Sequence, residues 1–217
     1  MDAEAQRKAA GERAAQFVTD GMVIGYGTGR AATAALEALK ARGVKVRGVP
    51  TSEKTSETCR KLGLAMTTLE DDPVLDLVID GSDEVDPSGH LLKGGGGAQT
   101  REKLVALASR KRIIVIEESK LVQRLGTTRG LPIEILAFGW KSTLLRVQAI
   151  LPGAERRKEW PLSDNGGIIV DAPLSAAHDL RMLDKQLKCI AGVVEHGLFV
   201  DLQPIVVVGG ANGVVVR

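Results

Sequence analysis

The chain has 217 residues, 44% of them apolar, and a formal net charge of +2. That length fits one large domain or one medium domain with a small companion, and the near-balanced charge leaves no electrostatic footprint for nucleic acid. No apolar run approaches the roughly 20 residues of a membrane span, and the polar start MDAEAQRK lacks the apolar stretch of a signal peptide.

A cytoplasmic protein with no nucleic-acid or membrane partner is therefore expected, its two cysteines, Cys59 and Cys189, reduced and buried. His90, His178 and His196 are scattered and nothing has metal-ligand spacing, so no metal or other cofactor is expected. Aromatic residues are few, so the core must be mostly Val, Leu, Ile and Ala.

In chain order, residues 3–18 read as a helix with Ala10, Ala14, Phe17 and Val18 on one face and Arg7 and Lys8 on a solvated one. Met22-Val23-Ile24 starts a strand that runs into Gly25-Tyr26-Gly27-Thr28-Gly29, followed by a helix from Ala31 to Lys40 closing at Gly43. Strand, glycine turn and helix open a nucleotide-binding-like unit, but the dinucleotide fingerprint is incomplete: Arg30 stands at the third position, and no acid follows the strand Val44 to Val49. There is no GK[ST] either. A turn holding one small phosphate or sugar at a helix N-terminus fits, beside the reading of a purely structural turn. Ser52 caps a helix through Leu62 that ends at Gly63, and Met66 to Leu69 reads as a short edge strand.

The apolar strand Val74 to Ile79 leads into IDGSDEVDPSGHLLKGGGGAQTREK, residues 79–103, the densest chemistry in the chain. Asp80 and Asp83 are expected just past the strand's carboxyl end, as solvated loop acids or as working carboxylates. Gly94 to Gly97 can take backbone angles barred to other residues, so their N–H groups can converge on an anion, with Lys93 adding charge; a flexible surface loop is the plain alternative. Glu102 falls in the first turn of the next helix, where a capping role and a catalytic one are both open. Arg112 to Ile116 is an apolar strand of the buried parallel kind, with Lys120 just beyond it.

Composition shifts near Thr127 to Pro132. A strand from Ile133, a helix at Lys141 to Ile150, a strand pair around Asn165-Gly166-Gly167, a helix from Ser175 to Lys188 and a strand from Gly192 to Phe199 suggest a small α+β domain. Ile205 to Val208 and Val214 to Val216 are two further strands. The expected fold is a Rossmann-like parallel α/β sheet with helices on both faces, residues 1–127 and 204–217, plus a small ferredoxin-like α+β domain over 128–203.

The runs DGSDEVD and LLKGGGGAQTREKLVA resemble the signature of the type A ribose-5-phosphate isomerase family. GYGTG at 25–29, TSEKT at 51–55, EESKLVQRLG at 117–126, LPIEI at 131–135, DNGGIIVD at 164–171 and GVVEHGLF at 192–199 agree in order, so the resemblance covers nearly the whole chain. It departs after Gly-Thr-Gly, where the family has Ser then Thr and this chain has Arg30 and Ala31.

The resemblance implies an aldose–ketose isomerase that interconverts ribose 5-phosphate and ribulose 5-phosphate through an enediolate. It implies Glu102 as the base, Asp80 as the group for ring opening and proton traffic, and Lys93 with the N–H groups of Gly94, Gly95 and Gly96 as stabilisers of the oxyanion. Asp83 would hold substrate hydroxyls, and Thr28, Gly29, Arg30, Ala31, Gly81, Ser82 and Lys120 would line the remaining substrate contacts. It also implies a homodimer without a cofactor. Other readings are a non-catalytic sugar-phosphate sensor, an isomerase of a different phosphosugar, and an acyl- or CoA-handling enzyme on a related sheet. The length and charge leave no room for the DNA-binding segment that sensors carry.

Overall fold

The computed structural model describes every residue, Met1–Arg217. By contacts the chain divides into two compact units, Met1–Ser82 with Arg101–Leu121 and Gln203–Arg217, and Asp83–Thr100 with Val122–Leu202. Residues 83–100, which sequence reading groups with the parallel sheet, pack with the second unit.

The first unit is built on a seven-stranded sheet. Its strands are β1 (Val23–Tyr26), β2 (Arg47–Pro50), β3 (Ala65–Met66), β4 (Leu75–Gly81), β7 (Ser109–Glu117), β13 (Ile205–Gly210) and β14 (Gly213–Val216). The spatial order is β14-β13-β7-β4-β1-β2-β3, parallel throughout except for the antiparallel edge strand β14. The apolar runs of β4 and β7 are buried on both faces, as a covered parallel sheet requires.

Helices α1 (Ala3–Ala15), α2 (Arg30–Arg42), α3 (Glu53–Leu62) and α4 (Gln99–Ala108) complete the layers. Ile24, Tyr26, Leu77, Ile79, Ile113 and Val115 pack with Ala10, Ala14 and Leu36 into one core. The residue between Ile24 and Tyr26, Gly25, faces the other way, toward Val105 of α4, so helices cover both faces. Ala and Gly on α1 let it approach α2 closely: a Cβ on Gly11 would lie 2.7 Å from the Ala35 nitrogen. The α3 bounds follow local chemistry, with the Ser52 hydroxyl accepting from Thr55 N–H at 3.0 Å and Gly63 left-handed at the far end.

The second unit holds a four-stranded antiparallel sheet in the order β11 (Val193–His196), β8 (Leu131–Ile135), β10 (Ile168–Ala172), β9 (Glu155–Arg156). Helices α5 (Trp140–Ile150) and α6 (Leu180–Lys188) complete the ferredoxin-like βαββαβ arrangement, and Leu131, Ile133, Ile135, Val147, Leu183 and Leu187 fill its core. A separate three-stranded sheet joins β5 (Glu84–Val85), β6 (Leu91–Leu92) and β12 (Leu198–Phe199). That hairpin inside 79–103 carries only two residues per strand, too few for alternation to be visible in sequence.

Several expectations are corrected. Asp80 lies inside β4 rather than past it. Arg7 is not on a solvated face: its guanidinium pairs with Glu117 at 3.3 Å and its side chain is only 13% exposed, because α1 lies over the end of β7. The strand pair expected around Asn165-Gly166-Gly167 is β9 and β10, which flank a turn closed by Ser163 N–H to Gly167 O, and β10 pairs on its other side with β8. Helix α6 starts at Leu180, where Asp179 caps it, five residues after Ser175. The stretch 192–199 splits between two sheets. Cys59 is buried, its thiol pushed up to about 11 by burial, whereas Cys189 is exposed.

Candidate active site

In the first unit the sheet grows from β1 to β2 and β3 on one side and from β4 to β7 and β13 on the other. β1 and β4 therefore flank the topological switch point, where open α/β sheets bind ligands beyond their strands' carboxyl ends. The turn after β1 is moulded onto β4. Gly27 N–H donates to Ile79 O at 2.9 Å, and the Asp80 Oδ1 accepts from Thr28 N–H at 3.0 Å and Gly81 N–H at 2.7 Å. A Cβ on Gly27 would sit 2.5 Å from Asp80 Cα and from Ile79 O, so only glycine allows this approach. Asp80 is 2% exposed, and two backbone donors fix its buried carboxyl group.

Four hydroxyls lock the same turn. Thr28 Oγ1 donates to Ser52 Oγ at 2.8 Å and lies 2.8 Å from Thr51 Oγ1 and 2.9 Å from Thr55 Oγ1. One hydroxyl has one proton and two lone pairs, so these neighbours use it fully. Thr51 and Thr55 also reach the carbonyls of Tyr26 and Gly27, both at 3.1 Å. The TSEKT run thereby anchors the glycine turn, a role its sequence does not announce.

Helix α2 starts at Arg30 behind Gly29, whose φ of 101° suits glycine. Arg30 is exposed and makes no hydrogen bond or ion pair with the protein; Ala31 is half-buried beside it. Glu102 lies in the first turn of α4, 5% exposed, and Val105 of the same helix packs over Gly25. Lys120 is half-buried in the 3-10 turn Glu118–Lys120 that follows β7, and Gly81 and Ser82 are half-buried at the end of β4.

In the second unit Lys93 is 3% exposed, its ammonium 5.7 Å above the Phe199 ring, and its N–H donates to Gly197 O at 2.9 Å. Gly94 and Gly97 have φ of 98° and 75°, and Gly97 N–H closes the turn on Gly94 O at 2.9 Å. Gly95 N–H donates to Asp83 Oδ2 at 2.8 Å, an oxygen that Arg129 Nη1 also meets at 2.8 Å. The loop's N–H groups thus do not all converge on open space: one already holds an internal carboxylate. Arg157 clamps the outer side, donating to Gly94 O and Gly95 O at 3.3 and 3.1 Å and pairing with Asp171 at 2.6 Å.

The model of ribose 5-phosphate isomerase A (phosphoriboisomerase A) matches residues 47–213. The chain belongs to the ribose 5-phosphate isomerase A family. A ribose-5-phosphate isomerase A of Synechococcus sp. (strain JA-3-3Ab) is 42% identical, covering 98% of this chain and 96% of its own. That of Listeria monocytogenes serotype 4b is 43% identical over 96% of each chain. Among solved structures, a D-ribose-5-phosphate isomerase in complex with phospho-erythronic acid superposes with a TM-score of 0.93 at 34% identity, over 100% of this chain and 99% of the other. The ribose 5-phosphate isomerase of Plasmodium falciparum gives 0.92 at 36%, over 99% and 98%.

Within this member of the isomerase A family, sequence reading missed Arg129, Arg157 and Glu84. The two arginines lie dozens of residues from the loop they serve and belong to no local motif. Glu84 stood in the DE pair but had no assigned part. Gln99, wholly buried at the start of α4, has neither amide atom hydrogen-bonded. No group of three or more His, Cys, Asp or Glu is placed to hold a metal ion, and no helix is long and apolar enough to cross a membrane.

Proposed function

We propose that the chain interconverts D-ribose 5-phosphate and D-ribulose 5-phosphate, its family's aldose–ketose isomerisation in the non-oxidative pentose phosphate pathway, with Glu102 as the carbon base. The observation that carries this reading is the buried carboxylate in the first turn of α4, in a chain of this family. Asp80 opens the sugar ring and moves protons among the oxygens. Glu102 takes the proton from C2 of the open aldose and returns it to C1 of the enediolate. A positioned base of this kind contributes roughly 10²- to 10⁴-fold.

Lys93 and the N–H groups of the Gly94 to Gly96 loop offset the negative charge on the enediolate oxygen, each donor contributing about 3 kcal/mol. Gly95 N–H is engaged by Asp83, which favours Gly94 and Gly96 for that part. Asp83 holds substrate hydroxyls. The turn Thr28, Gly29, Arg30 and Ala31, with Gly81, Ser82 and Lys120, lines the rest. Because the Thr28 hydroxyl is spent on its neighbours and its N–H on Asp80, Thr28 contributes by shaping the turn and through its carbonyl. The enzyme works as a homodimer in the cytoplasm, with no nucleic-acid or membrane partner, and a carboxylate base needs no metal. Activity should therefore survive exhaustive chelation; restoration by a divalent cation after loss would recast Asp80 and Asp83 as ligands.

Arg30 and Ala31 favour one second reading, an isomerase of a different phosphosugar. The test of both is direct: incubate the protein with ribose 5-phosphate and follow ribulose 5-phosphate. Absence of conversion sinks the first reading, and faster turnover of another aldose phosphate establishes the second.

A further inference from the structure

We propose that Arg129 is a positioning residue for substrate binding, held by Glu84 and acting through Asp83. The inference rests on the isomerase reading above and adds to it a residue that neither sequence motif nor family role brings forward.

The two acids of the DE pair have opposite surroundings. Glu84 is wholly buried, and its carboxylate accepts from Gly126 N–H at 2.6 Å, Thr127 N–H at 3.4 Å, Thr128 Oγ1 at 2.5 Å and Thr128 N–H. A buried carboxylate is stable only with such a complement of donors. Those donors are consecutive, so Glu84 pins the loop 126–128 to the start of β5. The next residue is Arg129, and the pinned loop delivers it to the neighbouring acid: its Nη1 lies 2.8 Å from Asp83 Oδ2.

The bracket closes on the glycine loop. Gly95 N–H donates to the same Asp83 Oδ2, and a Cβ on Gly95 would lie 2.7 Å from Arg129 Cζ and 2.8 Å from Asp83 Oδ1. The guanidinium is thus laid across the glycine, and a side chain there would displace it. With Oδ2 committed twice, Asp83 cannot rotate freely. Oδ1 has no protein donor, and the side chain keeps 26% exposure. One oxygen is spent on orientation and the other is left as an acceptor, the arrangement that fixing a sugar hydroxyl requires. Preorganisation of this kind lowers the entropy lost on binding and shows itself in affinity rather than in the chemical step.

The test is steady-state kinetics of Arg129→Met and Arg129→Lys with ribose 5-phosphate, calorimetric binding of phospho-erythronic acid, and the double variant with Asp83→Asn. Arg129 is about one-third exposed, so both variants fold, and a thermal melt verifies it. Arg129→Met should raise KM and weaken the acid's binding by about tenfold while changing kcat less than about threefold, the loss of one hydrogen bond to a charged group. Arg129→Lys should recover part of the loss. The double variant should be no worse than Asp83→Asn alone, since the two act as a unit. A KM for Arg129→Met within about twofold of the parent, or penalties that multiply in the double variant, would overturn the proposal. The parent is run beside them: a parent that does not convert ribose 5-phosphate sinks the isomerase reading and this inference together, whereas an active parent with an unaffected Arg129→Met sinks the inference alone.

Discussion

The two glycine elements of this protein solve the same problem by opposite means. The turn at 27–29 is held by close packing and short-range hydrogen bonds: close approach of Gly27 to Asp80, two backbone donors to the Asp80 carboxyl group and four interlocked hydroxyls. The loop at 93–97 is held by charges: Asp83 and Arg129 on one side, Arg157 and Asp171 on the other, and Lys93 over Phe199. Close packing in a sheet core is insensitive to salt and intolerant of added atoms. Partly exposed ion pairs weaken as salt rises and tolerate small changes of shape. The fold makes one element rigid by volume and the other by electrostatics.

The largest expected effect lies in neither loop. If both only hold substrate while Glu102 does the proton transfer, Glu102→Gln should cut turnover at least about 100-fold with substrate affinity little changed. Near-normal turnover in that variant would remove Glu102 from the role and leave the chemistry to the loops themselves.

The two loops should next differ in what a single methyl group does. Gly27→Ala forces a Cβ to 2.5 Å from Asp80 Cα, an overpacking that should cost about 1–3 kcal/mol in a denaturant melt. Gly96→Ala meets nothing within 4 Å and should melt within about 0.5 kcal/mol of the parent. Equal penalties at the two positions would erase the contrast between volume and charge.

Lys93 tests the electrostatic loop from within. If Lys93 stabilises the oxyanion, Lys93→Ala should lower turnover by about tenfold or more and affect apparent affinity less. An effect confined to affinity would make it an anchor for phosphate or hydroxyl.

Arg30 is the one long cation beside the turn at 27–29, and its exposure makes its expected effect the smallest. If it meets the phosphate, Arg30→Ser weakens binding of ribose 5-phosphate several-fold more than binding of ribose, and the difference shrinks at high salt. Equal affinities in parent and variant would leave Arg30 a bystander.

Much of this molecule was written in local sequence. The cap Ser52 and the left-handed stops Gly43 and Gly63 mark helix ends because capping depends on a few adjacent residues. The apolar runs of β4 and β7 announce a covered parallel sheet, and the runs DGSDEVD and LLKGGGGAQTREKLVA fall within the stretch that the family model matches.

Only the tertiary structure decided what those residues meet. The β5–β6 hairpin exists because β12, more than a hundred residues later, pairs with it. Arg7 is a structural partner of Glu117 rather than a surface cation because α1 packs over β7. The glycine run became a loop that grips Asp83, not an empty cradle, because Arg129 and Arg157 arrive from distant turns. Periodicity and caps report interactions between residues a few positions apart. Hydrogen bonds and ion pairs between remote side chains depend on how the chain returns, and no local pattern records that.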